Sequence, residues 1–151
     1  VRIISKKGPL TNYADRDHCI EYIVAWCLIN GNLDSNSYSN EAASDENIDV
    51  LRNITKTIED KKYTEKYYDL NERAIPNKVT VKLKSGEIFE EEVLYPLGHK
   101  ERRDESKPFL REKFCKSIEN KDFDIAKLIS FYDENDLDSI NIYDLLDKIY
   151  K

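Results

Sequence analysis

The sequence has no methionine, four glycines, four prolines and a single tryptophan among its 151 residues. So little glycine leaves no phosphate-cradling loop and no dinucleotide-binding pattern, and no nucleophile elbow or EF-hand loop is present. Long apolar runs are also missing. The longest, Ile23 to Ile29, is the length of a core helix and falls far short of the roughly 20 residues that span a bilayer. No membrane partner is expected. Three cysteines, Cys19, Cys27 and Cys115, form no CxxC pair and are odd in number, so neither a disulfide framework nor a zinc site is indicated. A reducing setting follows, the cytoplasm or, in a eukaryote, the mitochondrial matrix. Positive charge is in deficit: 24 basic against 30 acidic residues give a net charge of -6, which argues against nucleic acid as a main partner. The missing initiator, and a first residue that already lies in an apolar run, predict a piece of a longer polypeptide, with N-terminal processing as the alternative; nothing in these residues resembles a signal or transit segment.

What is present reads as one α+β domain over residues 1–151: a small antiparallel sheet with helices packed mainly on one face, followed by C-terminal helices over 104–151. Val1 to Ser5 reads as a short strand, ended by Gly8 and Pro9. A helix is predicted from a cap at Asp15 or Asp17 to the stop at Asn30 and Gly31. Its residues from Tyr22 to Ile29 are apolar on every face, which predicts burial on more than one side. After a polar stretch, Ser44 is expected to cap a second helix carrying Ile48, Leu51 and Ile54. "TKTIE" reads as a strand, and "DKKYTEKYYDLNERAIPN" as an irregular excursion.

Val79, Val81 and Leu83 alternate with polar residues, and Ser85 and Gly86 predict a two-residue hairpin turn before a return strand with Phe89, Val93 and Tyr95. One side of the hairpin should be wet. Pro108 suits the first turn of the next helix. Three apolar stripes close the chain: Leu110, Phe114 and Ile118; Phe123, Ala126 and Ile129; and, after a cap at Ser139, Ile142, Leu145, Leu146 and Ile149.

Two segments carry chemistry. In "RDHCIEY" His18 and Tyr22 are four apart, which on one helix stacks them on one face. An imidazole and a phenol suit acid–base work, and Arg16 could hold a carboxylate through two parallel hydrogen bonds. The alternative is a solvated helix start over a core tyrosine. In "GHKERR" Gly98, His99 and Lys100 could bring positive charge to an anion, or simply form a solvated loop. Cys19 reads as packing, and "EEE" at 90–92 as a solubility feature.

"KKGPLTNYADRDHCIEYIVAWCLINGNL" and, much later, "YPLGHKERRDESKPFLREKF" closely resemble the C-terminal part of the MmgE/PrpD family, in the family's order and separation. The resemblance extends through "ASDENIDVLRNITKTIED" and the hairpin. It implies a two-part enzyme in which an all-helical N-terminal domain, absent from this chain, is closed by a smaller α+β lid. The family's members eliminate water from 2-methylcitrate in propionate breakdown, decarboxylate cis-aconitate, or epimerise iminodisuccinate. No metal and no other cofactor is implied, and the partners implied are a small tricarboxylate and the missing domain. By the same resemblance His18 and Tyr22 face the substrate, Tyr22 first as proton donor or carboxylate ligand. Arg16, His99 and Lys100 would orient the substrate or serve structure. The family commonly has glutamine where this chain has Glu21, so that carboxylate must point away or pair with a cation.

The chain alone is expected to be inactive. Exposed apolar stripes, the last one around Leu145 and Ile149 above all, are expected to drive association into a homo-oligomer. A domain that only folds, associates or binds is the other reading.

Overall fold

Asn12 opens the first helix. In this computed structural model, which describes residues 4–119, 124–134 and 139–150, the Asn12 side chain accepts the Asp15 N–H at 2.9 Å. That satisfies one of the donors a helix start leaves open. The helix, α1 (Tyr13–Asp17), lasts five residues. A second, α2 (Ile20–Asn30), begins after the extended residue Cys19 and stops at Gly31, whose φ of 72° is the left-handed conformation the "NG" pair predicts. The one helix expected here is therefore two. Ser5 pairs with Cys19 in an isolated antiparallel bridge, and the Ile20 N–H donates to the Ile4 carbonyl at 2.7 Å, so the backbone at Cys19 is held extended. Of the strand expected over Val1 to Ser5, residues 1–3 lie outside the described residues.

Residues Val1–Glu65 and Lys66–Lys151 form two compact units. In the first, Cys19, Tyr22 and Ala25 of the α2 side meet Ile48 of α3 (Glu46–Ile54), with Leu10, Trp26, Tyr38, Ala43 and Leu51 around them. Helix α2 is buried on one face rather than all round: Leu28 and Ile29 are exposed. Asp45, not Ser44, caps α3, because its carboxylate reaches the Asn47 N–H at 2.9 Å while Ser44 ends a preceding 3-10 turn. Ile48 is buried, Leu51 is half-buried, and Ile54 is exposed. Residues 55–59 form no strand, and the expected excursion begins as a helix, α4 (Lys61–Tyr68), whose start is capped by Asp60.

In the second unit β1 (Asn77–Lys82) and β2 (Ile88–Val93) pair antiparallel, with Val79 opposite Glu91 and Val81 opposite Phe89. The Leu83 N–H donates to the Glu87 carbonyl at 2.8 Å, and the Gly86 N–H to the Leu83 carbonyl at 3.0 Å. The loop is thus three residues long with Gly86 at φ 91°, a turn closed by a left-handed residue, instead of the two-residue turn expected. Val79, Ile88 and Phe89 of the hairpin are exposed, while Val81 and Val93 are half-buried.

Helix α5 (Arg103–Ile118) starts five residues before Pro108, which therefore lies inside the helix rather than in its first turn. The ring removes the N–H that would bond to the Asp104 carbonyl, and Asp104 is exposed, where water can replace that bond. Helix α6 (Ile125–Glu134) meets α5 through Phe114 stacked on Tyr132, centroids 5.0 Å apart, and Arg111 gripping both Asp133 oxygens at 2.6 Å. Its inward residue is Leu128, with Ile125, Ile129 and Tyr132 half-buried and Ala126 exposed. At the start of helix α7 (Ile142–Tyr150) the Tyr143 N–H donates to Asn141 Oδ1 at 2.9 Å. Phe123 and the side chains of Leu145 and Ile149, three of the stripe residues, lie outside the described residues. Helices with a small antiparallel sheet make the chain α+β. No helix among the described residues is long and apolar enough to cross a membrane.

Candidate functional site

The break between α1 and α2 decides what "RDHCIEY" does. His18 ends one helix and Tyr22 sits in the first turn of the next, so the shared helix face expected from their spacing does not exist. His18 is exposed, its Nδ1 against the Asp17 carboxylate. That hydrogen bond, and the Asp17 charge behind it, raises the imidazole pKa above 6.5. Tyr22 is 2% exposed, and its hydroxyl donates to the Ser37 carbonyl at 2.7 Å. Burial pushes the phenol pKa above 10, and the positive charge of Arg16 acts against that rise.

Arg16 is 4% exposed. Its Nη1 donates to the Tyr38 carbonyl at 2.7 Å, and its Nη2 to Asn40 Oδ1 at 2.9 Å and the Leu10 carbonyl at 3.4 Å. Its Nε is buried with no acceptor among the described residues. The guanidinium thus grips the chain's own acceptors, and the free fork expected to hold a carboxylate is not what this conformation offers. Burial of this arginine is compensated at its two terminal nitrogens, Nη1 and Nη2, which find acceptors in place of water.

Glu21 resolves the question its charge raised: it pairs with a cation. Its Oε1 accepts from Lys7 Nζ, Ser5 Oγ and Thr57 Oγ1, each at 2.7 Å, and the Cys19 thiol points at Oε2 from 3.6 Å. Burial raises the carboxyl pKa, but the hydrogen bonds from Lys7, Ser5 and Thr57 outweigh it and hold the group down at about 2. Cys19 itself is fully buried, as packing predicts. Beside this network a cleft of about 150 Å³ is bordered by Lys6, Lys7, Arg52 and Thr55. Lys6 is held there by Asp15, and Arg52 by the Gly8 carbonyl at 2.6 Å and by Asp49.

The second unit holds His99 and Lys100. The Glu101 N–H donates to His99 Nδ1 at 3.2 Å, which leaves the ring proton on Nε2 to reach the Arg73 carbonyl at 3.1 Å. The ring also stacks on Tyr95, centroids 4.7 Å apart. Lys100 Nζ donates to the Asn71 carbonyl at 2.7 Å, and Arg102 Nη1 to the Tyr95 carbonyl at 3.0 Å. These side chains fasten the loop after β2 to the turn at 71–73, where Arg73 holds a φ of 45° that a non-glycine residue rarely adopts. An open cleft of about 580 Å³ runs past Arg73, Ile75, Leu97, Gly98, His99 and Lys100. Of the two segments, then, Arg16 and Tyr22 share one buried network, His18 stands outside it in solvent, and His99 with Lys100 belongs to the other unit.

Residues that sequence reasoning did not select complete both networks: Ser5, Lys7 and Thr57 around Glu21, and Ser37, Tyr38 and Asn40 around Arg16 and Tyr22. One local signal was present. Asp34 and Ser37 form a reciprocal cap on the 3-10 turn Ser35–Tyr38, a pattern readable as a polar residue answered three positions later.

The signature of the MmgE/PrpD C-terminal domain matches residues 1–121. The chain is 50% identical over 119 residues to "2-methylcitrate dehydratase, mitochondrial" of Yarrowia lipolytica, covering 78% of this chain and 23% of that protein. It is 49% identical over 122 residues to the "Probable 2-methylcitrate dehydratase" of Saccharomyces cerevisiae, covering 78% and 23%. With the 2-methylcitrate dehydratase of Escherichia coli K12 it shares 47% identity over 115 residues, 76% of this chain and 24% of that protein. The chain therefore spans about a quarter of the length of these curated relatives. On the domain match and these identities, the chain belongs to the MmgE/PrpD family, through that family's C-terminal domain.

Proposed function

We propose that this chain is the C-terminal part of a hydro-lyase that removes water from 2-methylcitrate. The observation that carries the reading is the identity of 47 to 50%, over about three quarters of this chain, to two proteins named 2-methylcitrate dehydratase and one named probable 2-methylcitrate dehydratase. Elimination needs a base that takes a proton from the carbon beside a carboxylate and an acid that protonates the departing hydroxide. The electron pair of the broken C–H bond becomes the new alkene, and water leaves. Tyr22 is this chain's acid: its O–H, which donates to the Ser37 carbonyl here, supplies the proton for the leaving oxygen. His18 is the exposed imidazole of the same segment, and Asp17 favours its charged form, which suits it to a substrate carboxylate. Lys100 is the cation of the other unit in the same role. Arg16 and His99 act through structure, since their ring and guanidinium hydrogen bonds already go to backbone and Asn40 atoms.

The remaining groups belong to a helical domain carried on the same polypeptide, so the 151-residue chain alone does not turn over. The reading places the enzyme in the cytoplasm or the mitochondrial matrix, and the exposed apolar residues of the second unit suit it to a homo-oligomer. The test is a hybrid in which this chain replaces the matching segment of the Escherichia coli dehydratase. The hybrid is expected to dehydrate 2-methylcitrate, followed as absorbance of the conjugated alkene, while the chain alone gives no rate above background. A folded hybrid that acts on cis-aconitate or iminodisuccinate and not on 2-methylcitrate would move the assignment to that chemistry.

A further inference from the structure

The turn that covers Tyr22 is held at both ends. At its start the Asp34 carboxylate accepts the Asn36 and Ser37 N–H groups, and the Ser37 hydroxyl accepts the Asp34 N–H at 3.0 Å. At its end the Arg16 guanidinium takes the Tyr38 carbonyl and the Asn40 side chain. Between these two anchors lies Ser37, 1% exposed, whose carbonyl receives the Tyr22 hydroxyl. Tyr38 adds a stacked ring, 6.4 Å from that of Tyr22 and inclined by 29°. A guanidinium bridging 22 and 24 residues in sequence thus fixes the acceptor on which the phenol is oriented.

From this geometry we infer that Arg16 is a positioning residue for Tyr22. It acts in two ways, by clamping the turn that presents the Ser37 carbonyl, and by placing a buried positive charge close to the phenol. In a medium where water is excluded such a charge is weakly screened, so it favours the phenolate and makes the hydroxyl a better proton donor. That direction agrees with the opposing influence of Arg16 on the Tyr22 pKa. Lysine cannot replace it, because a single ammonium does not span the Tyr38 and Leu10 carbonyls and Asn40 as the planar fork does. The inference rests on the reading of Tyr22 as the acid only for its catalytic meaning; the coupling between the two side chains is measurable in the chain itself.

The experiment uses the 151-residue chain with tyrosine replaced by 3-fluorotyrosine, followed by 19F NMR from pH 6 upward. Tyr22 is assigned as the signal lost in Tyr22→Phe. Arg16→Met is expected to raise the Tyr22 titration midpoint by about one pH unit or more. Arg16→Lys should keep most of the midpoint yet shift the Tyr22 resonance at neutral pH toward that of Arg16→Met, because the clamp is lost while the charge remains. Should Arg16→Met fail to fold, Asn40→Ala carries the test: it removes one clamp bond, leaves the charge, and is expected to shift the same resonance in the same direction. A folded Arg16 or Asn40 variant whose Tyr22 signal keeps both its position and its midpoint would overturn the inference. Loss of coupling with Tyr22→Phe still inactivating the hybrid enzyme would sink this inference alone. Coupling present with Tyr22→Phe fully active would sink only the catalytic reading.

Discussion

The two units of the chain use the same kinds of residue to opposite effect. In the first, side chains far apart in sequence converge on three buried polar groups, Arg16, Glu21 and Ser37, set around an apolar nucleus of Cys19, Tyr22, Ala25 and Ile48. In the second, Ala74, Ile118 and Leu128 are the buried apolar residues among those described, and the hairpin leaves Ile88 and Phe89 half or more in solvent. Its polar side chains mostly tie loops to backbone, as His99, Lys100 and Arg102 do. A family relationship that runs through both units therefore has different physical roots in each: a packed and hydrogen-bonded nucleus in one, fastened loops and open apolar surface in the other.

Substitutions should separate the two regions by size of effect. Ile48→Ala removes the largest fully buried side chain of the first unit and is expected to lower unfolding free energy by about 3 kcal/mol, read from urea denaturation followed by Trp26 fluorescence. Next comes Glu21→Gln, which removes the Lys7 ion pair from a buried site and should lose about 2 kcal/mol at pH 7. Its pH dependence has a definite sign. The folded pKa of about 2 lies below the ordinary 4.5, so the stabilisation is complete above about pH 4.5 and disappears as pH falls toward 2. In Glu21→Gln the stability curve should flatten across that window, keeping the slope that Asp15 contributes, since Lys6 and then Thr11 hold it at about 2 as well. A curve identical to that of the parent would show that Glu21 is not the group the geometry describes.

Asp45→Ala, which removes the cap of α3, should cost about 1 kcal/mol in the same denaturation experiment. Phe89→Ala lies at the far end of the scale. On an open hairpin face it should change stability by less than about 0.5 kcal/mol. A loss as large as that of Ile48→Ala would mean that the hairpin is packed, and the contrast between the units would collapse.

Much of the fold was legible where the cause is local. The "NG" stop of α2, the helical spacing of Ile48 and Leu51, and the alternation of Val79 and Val81 all act over a few residues, and each element stands where the pattern puts it. The division of the first helix was hidden, because its cause is a bridge from Cys19 back to Ser5, fourteen residues upstream. The hairpin turn is one residue longer than the sequence marks, since Leu83 and Glu87 close it while only Ser85 and Gly86 are marked. For the candidate site, the residue types in "RDHCIEY" were conspicuous while their arrangement was not. Tyr22 and Ser37 are 15 residues apart, Arg16 and Asn40 24, and Glu21 and Thr57 36, distances over which no spacing rule operates. Glycine at 98 and histidine at 99 leave an anion-binding loop and a plain solvated loop both open, and in the structure the ring meets two backbone groups.

The central claim, that Tyr22 works in a tricarboxylate dehydration, is tested most directly by turnover of Tyr22→Phe in the hybrid enzyme. Removing a general acid while keeping the ring should lower kcat for 2-methylcitrate about 100-fold or more, with the thermal midpoint moving by only a few degrees. An unchanged kcat in a folded hybrid would leave Tyr22 as a core residue whose hydroxyl does no more than hold Ser37.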